Sequence, residues 1–178
     1  MPIRAAKFAD IHAICRFLLW CHSQSHYAGS SVGVDLDETK RLVGSGIGRH
    51  GHKTGGGCWV QVVDNDGSID GLMFATLQRV YSIGDKLMAS DLFWACNEHA
   101  APGDALTLMR NMIAWAKSVP HCVEIHIATS AVIKQDPKAV SRLLKGIGMK
   151  EYGYIHRLEL DAIWPLNPGV KVKEEALT

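Results

Sequence analysis

The chain has 178 residues, 47% of them apolar and 21% charged, with a formal net charge of +1. That length supports one domain with its own core, and the charge is too small for a field that draws in nucleic acid or an anionic membrane. Five cysteines without a C-x-x-C pair, no apolar run of bilayer length and no secretory apolar region at the start lead to an expectation of reduced thiols in a cytoplasmic protein.

Residues 2–5 read as a short strand. From Phe8, the apolar positions Ile11, Ile14, Cys15, Leu18 and Leu19 recur at helical spacing to about Ser23. After a small-residue loop, Asp35 or Asp37 caps a second helix with Leu36, Leu42 and Val43 on its buried face. Residues 44–58, GSGIGRHGHKTGGGC, read as a loop leading into a strand over 58–63. Asp64-Asn65-Asp66-Gly67 is a hairpin turn, because these residue types tolerate positive φ, and a strand from 69 to about 79 follows. Residues 87–96 are bulky on both faces, as a central strand requires.

A helix starting near Gly103 carries Leu106, Met109, Ile113, Trp115 and Ala116 and stops near Pro120. Residues 122–128 alternate, with Val123, Ile125 and Ile127 on one face and Glu124 and His126 on the other. Pro137 opens a helix with Val140, Leu143, Leu144 and Ile147, and Gly148 ends it in the left-handed conformation. Strands at 151–153 and 154–160 complete a single domain over residues 1–164, and 165–178 form a polar tail.

Two motif matches fail on context. Gly46-Ile-Gly48-Arg-His-Gly51 fits G-x-G-x-x-G but follows a helix, where the dinucleotide motif needs a strand before it. His22, His26, His50 and His52 lack the partner spacing of a metal site, so no metal is expected. The loop between Cys96 and Gly103 is more informative. A helix start offers unpaired N–H groups and a positive dipole end, which suits phosphates. Pro102 has no N–H, however, and Asp104 has the wrong charge.

The order β-α-α-β-β-β-α-β-α-β-β, together with the stretches IRAAKFADIHAI, AAPGDA (residues 100–105) and RLLKGIGMKEYGYIHRLEL, resembles the GNAT superfamily of N-acetyltransferases over roughly residues 3–160. The resemblance implies an α/β (α+β) fold with a mixed central sheet whose fourth and fifth strands splay apart. It implies acetyl-CoA or another acyl-CoA as co-substrate, a small-molecule or protein amine as acceptor, no nucleic acid and no membrane, and a homodimer through the final strands. Carried over, Ala95 and Asn97 line the pantetheine arm, and Ala101, Gly103, Asp104 and Ala105 supply phosphate-facing amides.

The departures bear on function. Ala100 stands where the family pattern has Arg or Gln. Asp104 beside two phosphates costs roughly 1–3 kcal/mol at a separation of about 6 Å, so a working site needs its carboxylate turned outward to water. Leu144 holds the position of the family's proton-donating Tyr. For the base, Asp91 is the ionisable side chain in the middle of the fourth strand. It shares a face with Phe93 and Ala95 if the strand alternates regularly, a parity that a bulge would break. Ser130 is a candidate for a polar contact to the arm or the acceptor. The alternative function is a GNAT-like domain that has lost its chemistry and serves as a binding or structural module, within a phage or a larger assembly.

Overall fold

The structure, a computed structural model, describes residues 3–28, 30, 32–128 and 137–153. The elements in chain order are β1 (Ile3–Ala5), a 3-10 turn, α1 (Ile11–Ser23), α2 (Leu36–Gly48), β2 (Cys58–Asn65), β3 (Ser68–Arg79), β4 (Leu87–Cys96), α3 (Asp104–Lys117), β5 (Cys122–His126) and α4 (Pro137–Gly146). The strands form one sheet in the order β1-β2-β3-β4-β5. Every pair is antiparallel except β4 and β5, which run parallel. No described helix is long and apolar enough to cross a membrane.

Strand alternation splits the core into two layers. Val60, Val62, Leu72 and Phe74 pack with Ile14, Phe17, Leu18, Val43 and Ile47 of α1 and α2. Val63, Met73, Ala75 and Leu77 pack with Leu108, Met109, Met112 and Trp115 of α3 and with Leu144 of α4. Each large aliphatic or aromatic side chain removed from water contributes about 1.5–3 kcal/mol, so these two faces dominate the stability of the sheet. At the edge, the Arg4 guanidinium bonds both Asp10 and Asp64, fastening β1 to the start of α1 and to the β2–β3 turn.

The helix read from 35 onward runs five residues deeper into the glycine-rich segment than the sequence suggests. Asp35 is its cap, accepting from the amides of Asp37 and Glu38 at 3.0 and 2.9 Å. Its inward face is Val43, Gly46 and Ile47, while Leu36 and Leu42 are exposed. A Cβ on Gly46 would lie 2.3 Å from the Phe74 ring. The glycine is there because the ring fills the place of a side chain.

Two further expectations change. Val123 does not share a face with Ile125 and Ile127: the β4–β5 register passes from Leu87↔Cys122 to Met88↔Glu124, which leaves Val123 bulged and exposed. Residues 151–153 form no strand, and the expected strand at 154–160, the dimer contact through it and the tail from 165 lie outside the described residues. Gly148 does cap α4 with φ 93°, the Met149 amide donating back to the Leu144 carbonyl.

Candidate functional site

The parallel pairing of β4 with β5 ends at Ser90↔His126, yet β4 continues to Cys96. From Asp91 onward the two strands part. Where main-chain pairing stops, a side chain takes over: Asp91 Oδ1 accepts the Ala128 amide at 3.1 Å. Burial pushes the Asp91 carboxyl above the ordinary carboxylate range, and the Ala128 N–H partly offsets this.

The face that Asp91 occupies is set by a bulge. Phe74 pairs with Phe93 and Ala75 with Asp91, so Leu92 is an extra residue in β4. Asp91 therefore groups with Ala75 and Ala89 on the α3 side, whereas Ala95, opposite Leu72, belongs to the α1–α2 side with Phe74. The regular alternation that would place Asp91 with Phe93 and Ala95 does not hold.

At the upper end of the cleft, the backbone parity shifts by one residue from expectation. The Asn97 amide donates to the Asp70 carbonyl at 2.9 Å, so it points into β3. In an antiparallel ladder, alternate residues turn their N–H and C=O to the partner, which makes Ala95 another β3-facing residue and leaves Trp94 and Cys96 with polar groups open to the cleft. Trp94 and Cys96, rather than Ala95 and Asn97, are thus the residues whose backbone can pair with a ligand arm.

Asp70 is the residue that organises this end, and no motif pointed to it. It is the bulged residue of β3, since Val63 pairs with Gly71 and Asp64 with Ile69. Its carboxylate, 2% exposed, receives the side-chain amides of Asn65 at 3.0 Å and Asn97 at 2.9 Å. Asn97 Oδ1 in turn accepts the His99 and Ala100 amides, which shapes the first turn of the loop.

The second half of the loop is the helix start. Gly103, at φ 98°, turns the chain into α3. The Asp104 carboxylate turns back on its own loop: Oδ2 accepts the Ala101 amide at 2.9 Å, and the Asp104 amide bonds the Ala101 carbonyl at 3.0 Å. Ala101 and Asp104, both expected to offer amides, are satisfied internally. The amides of Gly103, Ala105 and Leu106 make no hydrogen bond to described residues, and Leu106 was not among the expected donors. The Trp94 indole N–H holds the Ala105 carbonyl at 3.0 Å, tying the cleft strand to this first helical turn.

Three open amides at the positive end of a 14-residue helix form a donor set suited to phosphate oxygens. A Cβ on Gly103 would meet nothing within 4 Å, so the approach to them is clear. The residues present therefore fit the diphosphate and arm of an acyl-CoA. The Cys96 thiol is pushed up to about 12 by burial, with the Asp104 and Asp70 carboxylates adding to the shift, which makes it a wall of the cleft and not a nucleophile. Leu144 is buried among α3 and sheet residues and offers no proton. Ser130 lies outside the described residues. His50 accepts the Val60 amide through Nδ1 and stacks on Trp59 with ring centres 4.6 Å apart, a packing role. Among the described residues no group of three His, Cys, Asp or Glu side chains could hold a metal ion.

No family model and no curated protein matches the chain by sequence. Solved structures match its shape. An acetyltransferase of Trypanosoma brucei is 14% identical over 89% of this chain and 99% of that one, with a TM-score of 0.63. Glucosamine-6-phosphate N-acetyltransferase from Arabidopsis thaliana is 10% identical over 90% and 98%, TM-score 0.63. A ribosomal-protein-alanine N-acetyltransferase from Brucella melitensis is 14% identical over 89% and 100%, TM-score 0.58. At such identities it is the overall fold, a mixed sheet with helices, that is shared. This chain has the fold of the GNAT N-acetyltransferases.

Proposed function

We propose that the chain is an acyl-CoA-dependent N-acyltransferase, with acetyl-CoA the simplest donor, acting on an amine by direct attack. The observation that carries this reading is the alignment of two features on one strand. β4 loses its partner after Ser90, and the same strand leads, through the Asp70–Asn97 contact, to the three open amides of α3. Gly103, Ala105 and Leu106 would hold the phosphates, and the backbone of Trp94 and Cys96 would pair with the arm. When bound, the acyl-CoA supplies a thioester carbon for the amine to attack, with the thiol as leaving group.

The chain's own part in that chemistry centres on Asp91. Its carboxylate sits at the root of the gap, one oxygen held by Ala128. The raised carboxyl makes it a stronger proton acceptor than an exposed Asp, which suits removal of a proton from the attacking amine, directly or through a water. Replacement by Asn preserves the oxygen that Ala128 donates to and removes the basicity. Acetyl-CoA consumption with an amine panel tests this: Asp91→Asn is expected to lower turnover by about 10²–10⁴ with unchanged Tm, and to flatten the acidic limb of the pH–rate profile. An unchanged rate removes Asp91 from the mechanism. No consumption of acetyl-CoA by the wild type with any amine removes the transfer reading.

A further inference from the structure

Alongside the paired part of β4 and β5 lies a hollow of about 230 Å³, lined by Gln78, Arg79, Tyr81, Met88, Glu124 and His126 among others. The register places Gln78, Met88 and Glu124 in one row and Thr76, Ser90 and His126 in the next. The intervening row, Leu77, Ala89 and Ile125, packs towards α3, so the hollow opens on the opposite face, that of α1 and α2. His126 belongs to the last β4–β5 rung before the strands part, which brings the hollow to the root of the cleft.

Its rim is built at a cost in backbone conformation. Tyr81 and Ser82 are consecutive non-glycine residues in the left-handed region, at φ 50° and 65°, a conformation that side chains disfavour. That turn brings the Tyr81 hydroxyl to 2.7 Å from the Tyr152 hydroxyl, joining the β3–β4 loop to the chain beyond α4. The Tyr152 ring also lies against His126, with centres 5.3 Å apart. Glu124, about one-third exposed, sits 3.5 Å from His126 Nε2. Met88 forms an apolar floor, 7% exposed. Arg79 is occupied elsewhere, its guanidinium donating to the Gly84 carbonyl at 3.0 Å.

We infer that this hollow seats the acceptor, and that the acceptor is a small primary amine with a compact apolar body. The Tyr81 ring, bonded at its hydroxyl to Tyr152 behind it, attracts a cation, the Glu124 carboxylate accepts hydrogen bonds from the ammonium, and the thioether floor receives hydrocarbon. The volume, about 230 Å³, suits a molecule of few heavy atoms. The role as acceptor rests on the acyl-transfer reading; the binding itself does not.

The test is calorimetric titration of the full chain with phenethylamine, n-pentylamine, the neutral isostere 2-phenylethanol and a lysine-containing tripeptide. Phenethylamine is expected to bind about tenfold or more tightly than the alcohol. Glu124→Gln should erase that preference, and Tyr152→Ala should weaken the amine several-fold, while CoA affinity stays unchanged in both. Equal affinity for amine and alcohol, amine affinity indifferent to both substitutions, or a marked preference for the tripeptide overturns the inference. Amine binding with these dependencies but without acetyl-CoA consumption keeps the amine site and removes the transferase. Acetyl transfer to the tripeptide without amine binding here does the reverse.

Discussion

The Ala101 amide already has an anion, the Asp104 carboxylate at 2.9 Å, so any phosphate reaching this loop competes with a charge the loop carries itself. Asp104→Asn removes the charge and keeps an oxygen for Ala101; Asp104→Ala removes both. Unit charges about 6 Å apart repel by about 0.7–3 kcal/mol for effective dielectrics between about 80 and 20, and the middle of that range, about 1.4 kcal/mol, is tenfold in Kd. Calorimetry with CoA at about 0.01 M and about 1 M salt, where the Debye length is about 30 and about 3 Å, separates charge from shape. The Asn variant is expected to tighten binding about tenfold at low salt and hardly at all at high salt. The Ala variant should gain more, since the Ala101 N–H joins those of Gly103, Ala105 and Leu106 as an open donor. Both changes cost α3 about 0.3–1 kcal/mol of first-turn electrostatics, visible as a lower Tm. If neither variant binds CoA at millimolar concentration, or if tightening ignores salt, the loop is only a helix start.

Gly103→Val should abolish CoA binding, because φ 98° is hostile to a branched side chain and that side chain would fill the clear approach to the open amides; calorimetry reads this, and retained affinity would refute the loop geometry. Gly46→Ala should destabilise the fold by about 1 kcal/mol in urea denaturation, since crowding the buried Phe74 ring costs about 1–3 kcal/mol against a helix-propensity gain of about 1 kcal/mol. Asp10→Asn should cost about 1–2 kcal/mol at neutral pH. The Arg4 guanidinium, with further help from the Lys7 amide, holds the Asp10 carboxyl below its ordinary value. That stability is present above the unfolded carboxyl value and lost as pH falls through the lower folded one. Denaturation curves of the two proteins should therefore converge in acid.

Element order as far as α4 was legible because hydrophobic period is a local property: α1 announces itself through Ile14, Cys15 and Leu18, and the β2–β3 hairpin through Asn65, Asp66 and Gly67. Side-chain parity was not, since it depends on how a strand is paired. One extra residue at Leu92 moved Asp91 to the other face, and the same device at Val123 exposed a residue that alternation would bury. The path of α2 through Gly44, Gly46 and Gly48 was hidden for a different reason. Glycine is a poor helix former by its own propensity, and what favours it at 46 is Phe74, a residue 28 positions away in sequence. The bond from Asp104 back to its own loop had a visible cue in the helix-start preference for acidic residues, but the same cue is neutral about which amide the carboxylate selects. Asp70 carried no motif at all, because its importance comes from two asparagines that meet only in the folded chain.

That buried carboxylate has an implication for how the sequence can drift. Asp70 is buried and takes its side-chain hydrogen bonds from the more exposed Asn65 and Asn97, so loss of either asparagine leaves a carboxylate oxygen short of a donor at about 1–3 kcal/mol. A change at either asparagine is therefore penalised through Asp70, which makes the trio one heritable unit. Since Asn97 also sets the turn before α3, exchange at the β2–β3 hairpin is tied to exchange at the proposed phosphate loop. Variation at Asn65, on a turn far from the loop in chain order, is thus constrained by the loop that Asn97 begins on the other side of β3.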